Sequence, residues 1–387
     1  MTPTMPAAMM ADPDLQAVLS ALVPHRALLV GGAVRNALMG LPAHDIDIAT
    51  DARPEEVVAA AKTAGLKTVP TGIDHGTVTV IVHGRPFEVT TFRRDVETDG
   101  RRAVVAFSDR IEDDAERRDF TMNALYADAE GRIIDPVGGL PDLAARRLRF
   151  VGDPDARIVE DYLRILRFFR FYAHYAQPGT ADGAALAACA HNAPGLAGIS
   201  HERIGAEMRK LLAAPDPTEA VQLMDQTGVL SQLLGAANAG RLAALIGVED
   251  QFLAPDALRW PVRLAALQAG DAANRLRLSK QEARDQVELA SDLPLHEIAY
   301  RFGPRVARGV AALRATDGKT IRPDWRDAIA AAVDATFPIS AADVMPQLTG
   351  AQVGRGLRAA ETAWIADEFV LPAPALIDIA LTFGSED

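Results

Sequence analysis

Near residue 150 of this 387-residue chain the pattern of side chains changes. Before that point short β-rich runs alternate with helical segments; beyond it the strand signals stop and Ala- and Leu-rich amphipathic segments follow one another, separated by Pro and Gly. A chain of this kind folds as a small α/β unit followed by an all-helical one. A solenoid is excluded because no period recurs. With 49% hydrophobic and 24% charged residues there is ample material for a packed core. A single cysteine, Cys189, rules out a disulfide framework and multi-thiolate metal sites. Nothing approaches the roughly 18 unbroken apolar residues of a membrane helix. The first residues lack a charged segment followed by an apolar one, so no secretory signal is expected, and a soluble cytoplasmic protein with no membrane partner is.

In the first part, Ala27–Val30, Asp45–Ala49, Lys67–Val69, Thr77–Val82 and Pro86–Phe92 read as strands, and Ala33–Met39 and Pro54–Ala64 as helices, the second capped by Asp51 or Thr50. The first strand runs into Gly31-Gly32 and a helix start, a turn that lets backbone N–H groups approach a phosphate but is common in βα units generally. Asp45-Ile46-Asp47-Ile48 follows. Alternation puts both carboxylates on one face, about 6–7 Å apart, with Ile46 and Ile48 inward. Such a pair suits Mg²⁺, which takes few protein oxygens and completes its octahedron with water and phosphate. A solvated strand face is the plainer alternative for any lone Asp-x-Asp. Glu88 either completes a metal triad or faces solvent.

These segments, with Arg117-Arg118-Asp119-Phe120-Thr121-Met122-Asn123-Ala124-Leu125, Asp135-Pro136-x-Gly138-Gly139, Glu160-Asp161-x-x-Arg164-x-x-Arg167-x-x-Arg170 and Ile199-Ser200-x-Glu202-Arg203-Ile204, occur in the order and spacing of one family. The chain resembles the class II CCA-adding tRNA nucleotidyltransferase/bacterial poly(A) polymerase family from about residue 27 to 215, and only loosely beyond. The resemblance implies an α+β architecture: a polymerase-β-like nucleotidyltransferase head with a small mixed sheet, then an all-helical neck, body and tail. The corresponding boundaries are an N-terminal extension or helix at 1–24, the head at 25–150, the neck at 151–215 and a tRNA-binding body and tail at 216–387. It further implies template-independent transfer of CMP and AMP from CTP and ATP to the tRNA 3′ end by two Mg²⁺ ions. Asp45 and Asp47 would hold the metals, with Glu88 as a further catalytic acid; Gly31, Gly32 and Arg35 would meet the triphosphate and Arg118 the nucleotide. Asp119 and Asn123 would orient the ribose or brace their turn, while Thr121, Met122 and Ala124 pack. Poly(A) polymerase and enzymes adding only CC or only A share this chemistry. A catalytically inactive RNA-binding protein on the same scaffold is the alternative from another class, against which the intact acids and Arg118 speak. No protein partner can be inferred.

On a continuous helix, Asp161, Arg164, Arg167 and Arg170 would sit at about 0°, 300°, 240° and 180°, with Tyr162, Ile165, Leu166 and Phe169 on the core side. Asp161 beside Arg164 would imitate a pairing base: the carboxylate accepts from the amino group of cytosine or adenine and the guanidinium donates to ring acceptors. Uracil and guanine would set oxygen against oxygen. The resemblance assigns this role to the pair, and gives Arg167 and Arg170 the phosphates or the bracing of the neck. A solvated i,i+3 ion pair is the plain reading of the same spacing. Tyr162 stands where relatives usually have proline.

The net charge of −12 excludes bulk attraction to RNA, leaving local basic strips: Arg93-Arg94, Arg101-Arg102, Arg146-Arg147-x-Arg149, and Arg203 through Arg209-Lys210. By resemblance Arg93–Asp109 is a mobile loop that helps the switch from CTP to ATP. His44 and His75 lack metal-ligand spacing, no phosphohydrolase His-Asp pair is expected after residue 150, and Cys189 reads as a small buried hydrophobe.

Overall fold

The structure, a computed structural model, describes residues 3–43, 45–99 and 102–385. His44, Gly100 and Arg101, named above, lie outside them. The residues divide into two compact units, one running through Leu233 and one beginning at Leu234.

The first unit opens with α1 (Ala7–Met10) and α2 (Pro13–Ala21). Asp12 caps α2, its carboxylate accepting from Asp14 N at 2.9 Å with Pro13 at the first helical position. Leu15, Val18 and Leu19 are buried where α2 packs on the sheet, so this segment belongs to the head rather than extending from it. Seven strands form one mixed sheet in the order β3-β4-β5-β2-β1-β8-β9, and two more form a separate antiparallel pair. They are β1 (Ala27–Val30), β2 (Asp47–Thr50), β3 (Lys67–Gly72), β4 (Thr77–Val82), β5 (Arg85–Thr91), β6 (Arg93–Asp99), β7 (Arg102–Phe107), β8 (Tyr126–Ala127) and β9 (Ile133–Ile134). The sheet is antiparallel except for β2 against β5, where Asp47 pairs with Glu88 and Ile48 with Val89. On β4, Val78, Val80 and Val82 are buried, the period-2 signature of a strand with one face in the core.

Between these strands lie α3 (Gly32–Leu38) and α4 (Pro54–Thr63). The cap of α4 is Arg53, not Asp51 or Thr50. Glu56 reaches back to Arg53 N at 2.7 Å, while Asp51 is drawn away to accept from Arg26 N at 2.9 Å. The stretch expected to be a loop, Arg93–Asp109, instead contains the β6–β7 ribbon, with Arg93 opposite Phe107 and Asp99 opposite Arg102. A two-strand ribbon needs only local pairing between neighbouring segments, which weak hydrophobic periodicity conceals.

After the ribbon come α5 (Ile111–Glu116) and a 3-10 turn at Thr121–Asn123. Next is α6 (Gly139–Ala144), followed by the helices α7 (Pro154–Glu160), α8 (Leu163–Tyr175), α9 (Gly183–Asn192), α10 (His201–Leu212) and α11 (Thr218–Gln226). α11 packs on α8 within the compact unit that runs through Leu233. Phe120 joins the strand-bearing part to α8, its ring centroid 4.9 Å from Phe150 and 5.2 Å from Phe171. Each fully buried phenylalanine contributes about 1.5–3 kcal/mol, so the turn bearing Arg118 and Asp119 is anchored to the neck. Cys189 is fully buried, which pushes its thiol pKa well up.

Asp135 accepts from Gly139 N at 2.7 Å and Leu140 N at 2.9 Å, seating α6 over the Thr121–Asn123 turn. A β-carbon on Gly139 would collide with the Thr121 carbonyl. Gly139→Ala is therefore expected to cost about 1–3 kcal/mol of stability, read as a lowered melting temperature with no change in helix content.

The second unit is entirely helical among its described residues. One of its cores gathers Ile339, Val344, Leu348, Trp364, Ile365 and Leu376, and a buried Arg263 is neutralised by Glu249 at 2.6 Å.

Candidate active site

The acid cluster comes from two neighbouring strands. Ile46 and Ile48 are buried while Asp45 and Asp47 are exposed, so the expected alternation holds although the strand proper begins at Asp47. The parallel register sets Glu88, itself exposed, beside Asp47. Desolvation, then Glu88, then Asp45 raise the pKa of Asp47 above the ordinary carboxylate range, with Arg118 pulling the other way. Among the described residues no three His, Cys, Asp or Glu side chains form a self-sufficient metal cage. An all-oxygen donor set of Asp45, Asp47 and Glu88 nevertheless fits a dication that takes its remaining ligands from phosphate and water.

Gly31, at φ 70° and ψ −126°, makes the turn from β1 into α3. A side chain there would be strained, and the site of its β-carbon lies 3.4 Å from Arg118 Nη1. Arg118 is gripped from behind. The buried Asp114 carboxylate accepts from its Nη2 at 2.9 Å and from Tyr126 Oη at 2.7 Å, and Tyr126 Oη also accepts from Arg118 Nε at 3.0 Å. Burial works to raise the Asp114 pKa, but Arg118 and Tyr126 prevail and hold it low; the Tyr126 hydroxyl is pushed up, chiefly by burial. Asp114 was missed in the sequence although it stands four residues before Arg118; Tyr126 was beyond local spacing.

Beside Arg118 opens a cavity of about 320 Å³ lined by Arg117, Arg118, Asp119, Asp161, Leu163, Arg164, Arg167 and Arg203. Five arginines against two aspartates make it a local basic pocket in an acidic chain.

The helix expected across Glu160–Phe171 is broken. Asp161, at φ −154° and ψ 104°, is extended backbone between α7 and α8, and Tyr162 leads into α8 with its ring filling the space where a Gly195 side chain would lie. Ile165, Leu166 and Phe169 are buried as expected. Asp161 and Arg164 line the same cavity, but they are not paired side by side. Asp161 accepts from Arg203 at 2.7 Å and from Leu163 N at 3.1 Å, whereas Arg164 binds Glu160 and the carbonyl of Arg157, the latter at 2.6 Å. The break ends the i,i+3 geometry, and nearer partners take both heads.

Other expected contacts are also spent internally. Arg35 is buried; it donates to Asn123 and to Tyr175 Oη at 2.8 Å and lies over the Tyr175 ring, with its Nη2 3.6 Å from where a Gly32 β-carbon would stand. Asp119 takes Arg167 and accepts from Asn123 at 3.0 Å, bracing the turn. Burial opposes ionisation of Asp119, but Arg167 and the donors hold its pKa low. Arg170 is paired with the buried Glu207 at 2.6 Å. Of the basic strips, Arg147 and Arg149 are taken by Asp142, and Arg203 by Asp161. Thr121, Met122 and Ala124 pack as expected. In the second unit a larger cavity, about 690 Å³, has its charges internally matched, Arg241 with Asp317 and Lys319 facing Asp292.

A strand–glycine–helix turn, an acid cluster and a basic pocket at one arginine define a nucleotidyltransferase-type head. Residues 27–149 match the Poly A polymerase head domain, and residues 182–239 match the probable RNA and SrmB-binding site of polymerase A. A CCA-adding enzyme of Geobacillus kaustophilus is 38% identical over 305 residues, covering 75% of this chain and 74% of that protein. The mitochondrial CCA tRNA nucleotidyltransferase 1 of Danio rerio is 46% identical over 209 residues, 54% of this chain and 48% of that protein. The chain thus spans about half the length of the first curated relatives it matches. The crystal structure of the Bacillus stearothermophilus CCA-adding enzyme in complex with CTP superposes with a TM-score of 0.71 at 31% identity, over 95% of this chain and 90% of that one. The chain belongs to the class II CCA-adding enzyme/poly(A) polymerase family. Among the described residues no helix is long and apolar enough to cross a membrane.

Proposed function

We propose that this protein is a CCA-adding tRNA nucleotidyltransferase, transferring CMP and AMP from CTP and ATP to the 3′ end of tRNA without a template. The observation that carries this reading is the position of Arg118. Its Nη1 lies 3.4 Å from where a β-carbon on Gly31 would stand, at the glycine turn, and it lines the cavity that holds Asp161 and Arg164. On this reading one nucleotide would present its phosphates to the acids and its base to the pocket.

Asp45 and Asp47, with Glu88 alongside, would hold magnesium, which when bound favours ionisation of the attacking 3′-hydroxyl and neutralises the departing pyrophosphate. The protein's own part is placement. Gly31 and Gly32 keep the backbone close to the phosphates, and Arg118, immobilised by Asp114 and Tyr126, sets the nucleotide against the acids. Asp161 and Arg164 read the base from the opposite wall, with Arg167 near its phosphates or sugar. The arginine-rich lining supplies the attraction for a polyanion that the whole chain lacks. The single buried thiol accords with work in a reducing, cytoplasmic setting.

The test is incubation with tRNA lacking its 3′ end, Mg²⁺ and each nucleotide in turn. CTP alone should add two residues, and ATP should then add one. Long tails grown from ATP on unrelated RNA would identify a poly(A) polymerase instead, and addition of only CC or only A a partial enzyme. Asp114→Asn should raise the KM for nucleotide about tenfold, since a hydrogen bond to a charged group is worth about 1.5–3 kcal/mol, with a smaller rise for Tyr126→Phe. Steady-state kinetics on folded variants checks this.

A further inference from the structure

Arg157, on α7, is buried and does not line the nucleotide cavity, yet its guanidinium contacts the elements on both sides of it. One terminal nitrogen, Nη2, donates to the carbonyl of Arg117 and, at 2.9 Å, to that of Arg118. The other, Nη1, holds Glu160. Glu160 also holds Arg164, and Arg164 donates back to the Arg157 carbonyl at 2.6 Å. The Arg157 guanidinium, together with a direct bond from Arg164 Nη2 to the Arg117 carbonyl at 3.4 Å, thus ties the backbone beneath Arg118 to the side chain that faces the base.

We infer that Arg157 is a positioning residue that sets the separation between Arg118, which holds the nucleotide, and Arg164, which reads its base. The physical ground is the planar fork of the guanidinium: its terminal nitrogens bind a carboxylate on one side and carbonyls on the other in one rigid plane. Lysine keeps the charge but, as a point donor on a flexible stem, cannot hold both sides at a fixed spacing. Burial of the group restricts its freedom to rearrange, so a change at Arg157 should pass to Arg164 instead of being absorbed by solvent. This inference rests on the proposed base-reading role of the cavity.

The experiment compares wild type, Arg157→Lys, Arg164→Ala and the double variant as full chains with tRNA acceptor. The readouts are kcat and KM for CTP, ATP and UTP, with thermal unfolding as a check on folding. Arg157→Lys should lower the preference for CTP over UTP about tenfold, mainly through KM, with a cooperative melting transition retained. The double variant should lose little more preference than Arg164→Ala alone, because both changes remove one unit. If Arg157→Lys keeps the wild-type preference, or its loss adds fully to that of Arg164→Ala, the positioning role is wrong. Should Arg157→Lys not fold, Glu160→Gln, which weakens the same bridge from its other end, must give the same non-additive loss with Arg164→Ala. If wild type incorporates no CMP, or Arg164→Ala leaves base preference intact, the functional reading itself fails, a result distinguishable from failure at Arg157.

Discussion

Asp47→Ala is expected to abolish nucleotidyl transfer, lowering turnover roughly thousandfold or more, while tRNA affinity stays within a few-fold. The size follows from what the position does. Charge neutralisation at a transferring phosphoryl group is worth several kcal/mol, and each 1.36 kcal/mol is about tenfold in rate. Asp47 stands at the exposed start of a central strand, opposite Glu88 and close to Asp45, so removing its carboxylate leaves the buried residues Ile48, Ala49 and Thr50 untouched. The fold should therefore survive. A second readout does not depend on catalysis: Mg²⁺ should raise the melting temperature of wild type, by relieving repulsion among the acids, and should do so much less in the variant. Turnover that persists in Asp47→Ala would remove the metal assignment, and equal Mg²⁺ stabilisation of both proteins would place the ion elsewhere.

Asp161→Ala is expected to relax base choice more than it slows the reaction. Rejection of UTP and GTP should weaken about tenfold to hundredfold, since an unpaired buried polar group costs about 1–3 kcal/mol, while turnover with CTP falls less. The position is favourable for such a test because Asp161 sits on extended backbone between two helices and carries no buried apolar packing. Its carboxylate accepts from Arg203 at 2.7 Å, which holds it in one orientation at the cavity wall. Asp161→Asn offers a sharper outcome, because an amide can donate to the O4 of uracil and should admit UTP specifically. Unchanged discrimination in both variants would mean that the base is read by other groups.

Several elements were legible without coordinates because their causes are local. The runs Ala27–Val30 and Thr77–Val82 are strands at the expected residues, since a short apolar run stopped by a glycine pair, or an alternating one closed by turn residues, leaves few other outcomes. The core positions Ile165, Leu166 and Phe169 follow from helical periodicity alone. The β6–β7 ribbon and the cap of α4 were misjudged because competing local partners of similar strength are decided by what lies nearby. Asp51 is claimed by Arg26, a contact 25 residues distant in the chain.

The candidate site divides along the same line. The sequence by itself determined which groups are present: paired acids after a glycine turn, an arginine to which the resemblance assigns the nucleotide, and a mixed acid–base segment of the kind that could discriminate bases. Which charged group holds which was a tertiary matter. Glu88 joins Asp47 only because β2 and β5 run parallel in register, and Arg35 takes Tyr175, 140 residues away, as a partner. Asp161 and Arg164 turn to Arg203 and Glu160 because the chain bends between α7 and α8. Side-chain type and spacing state what a group can do, but its partner is whichever opposite charge the fold delivers within about 4 Å in a poorly solvated place, where that energy is largest.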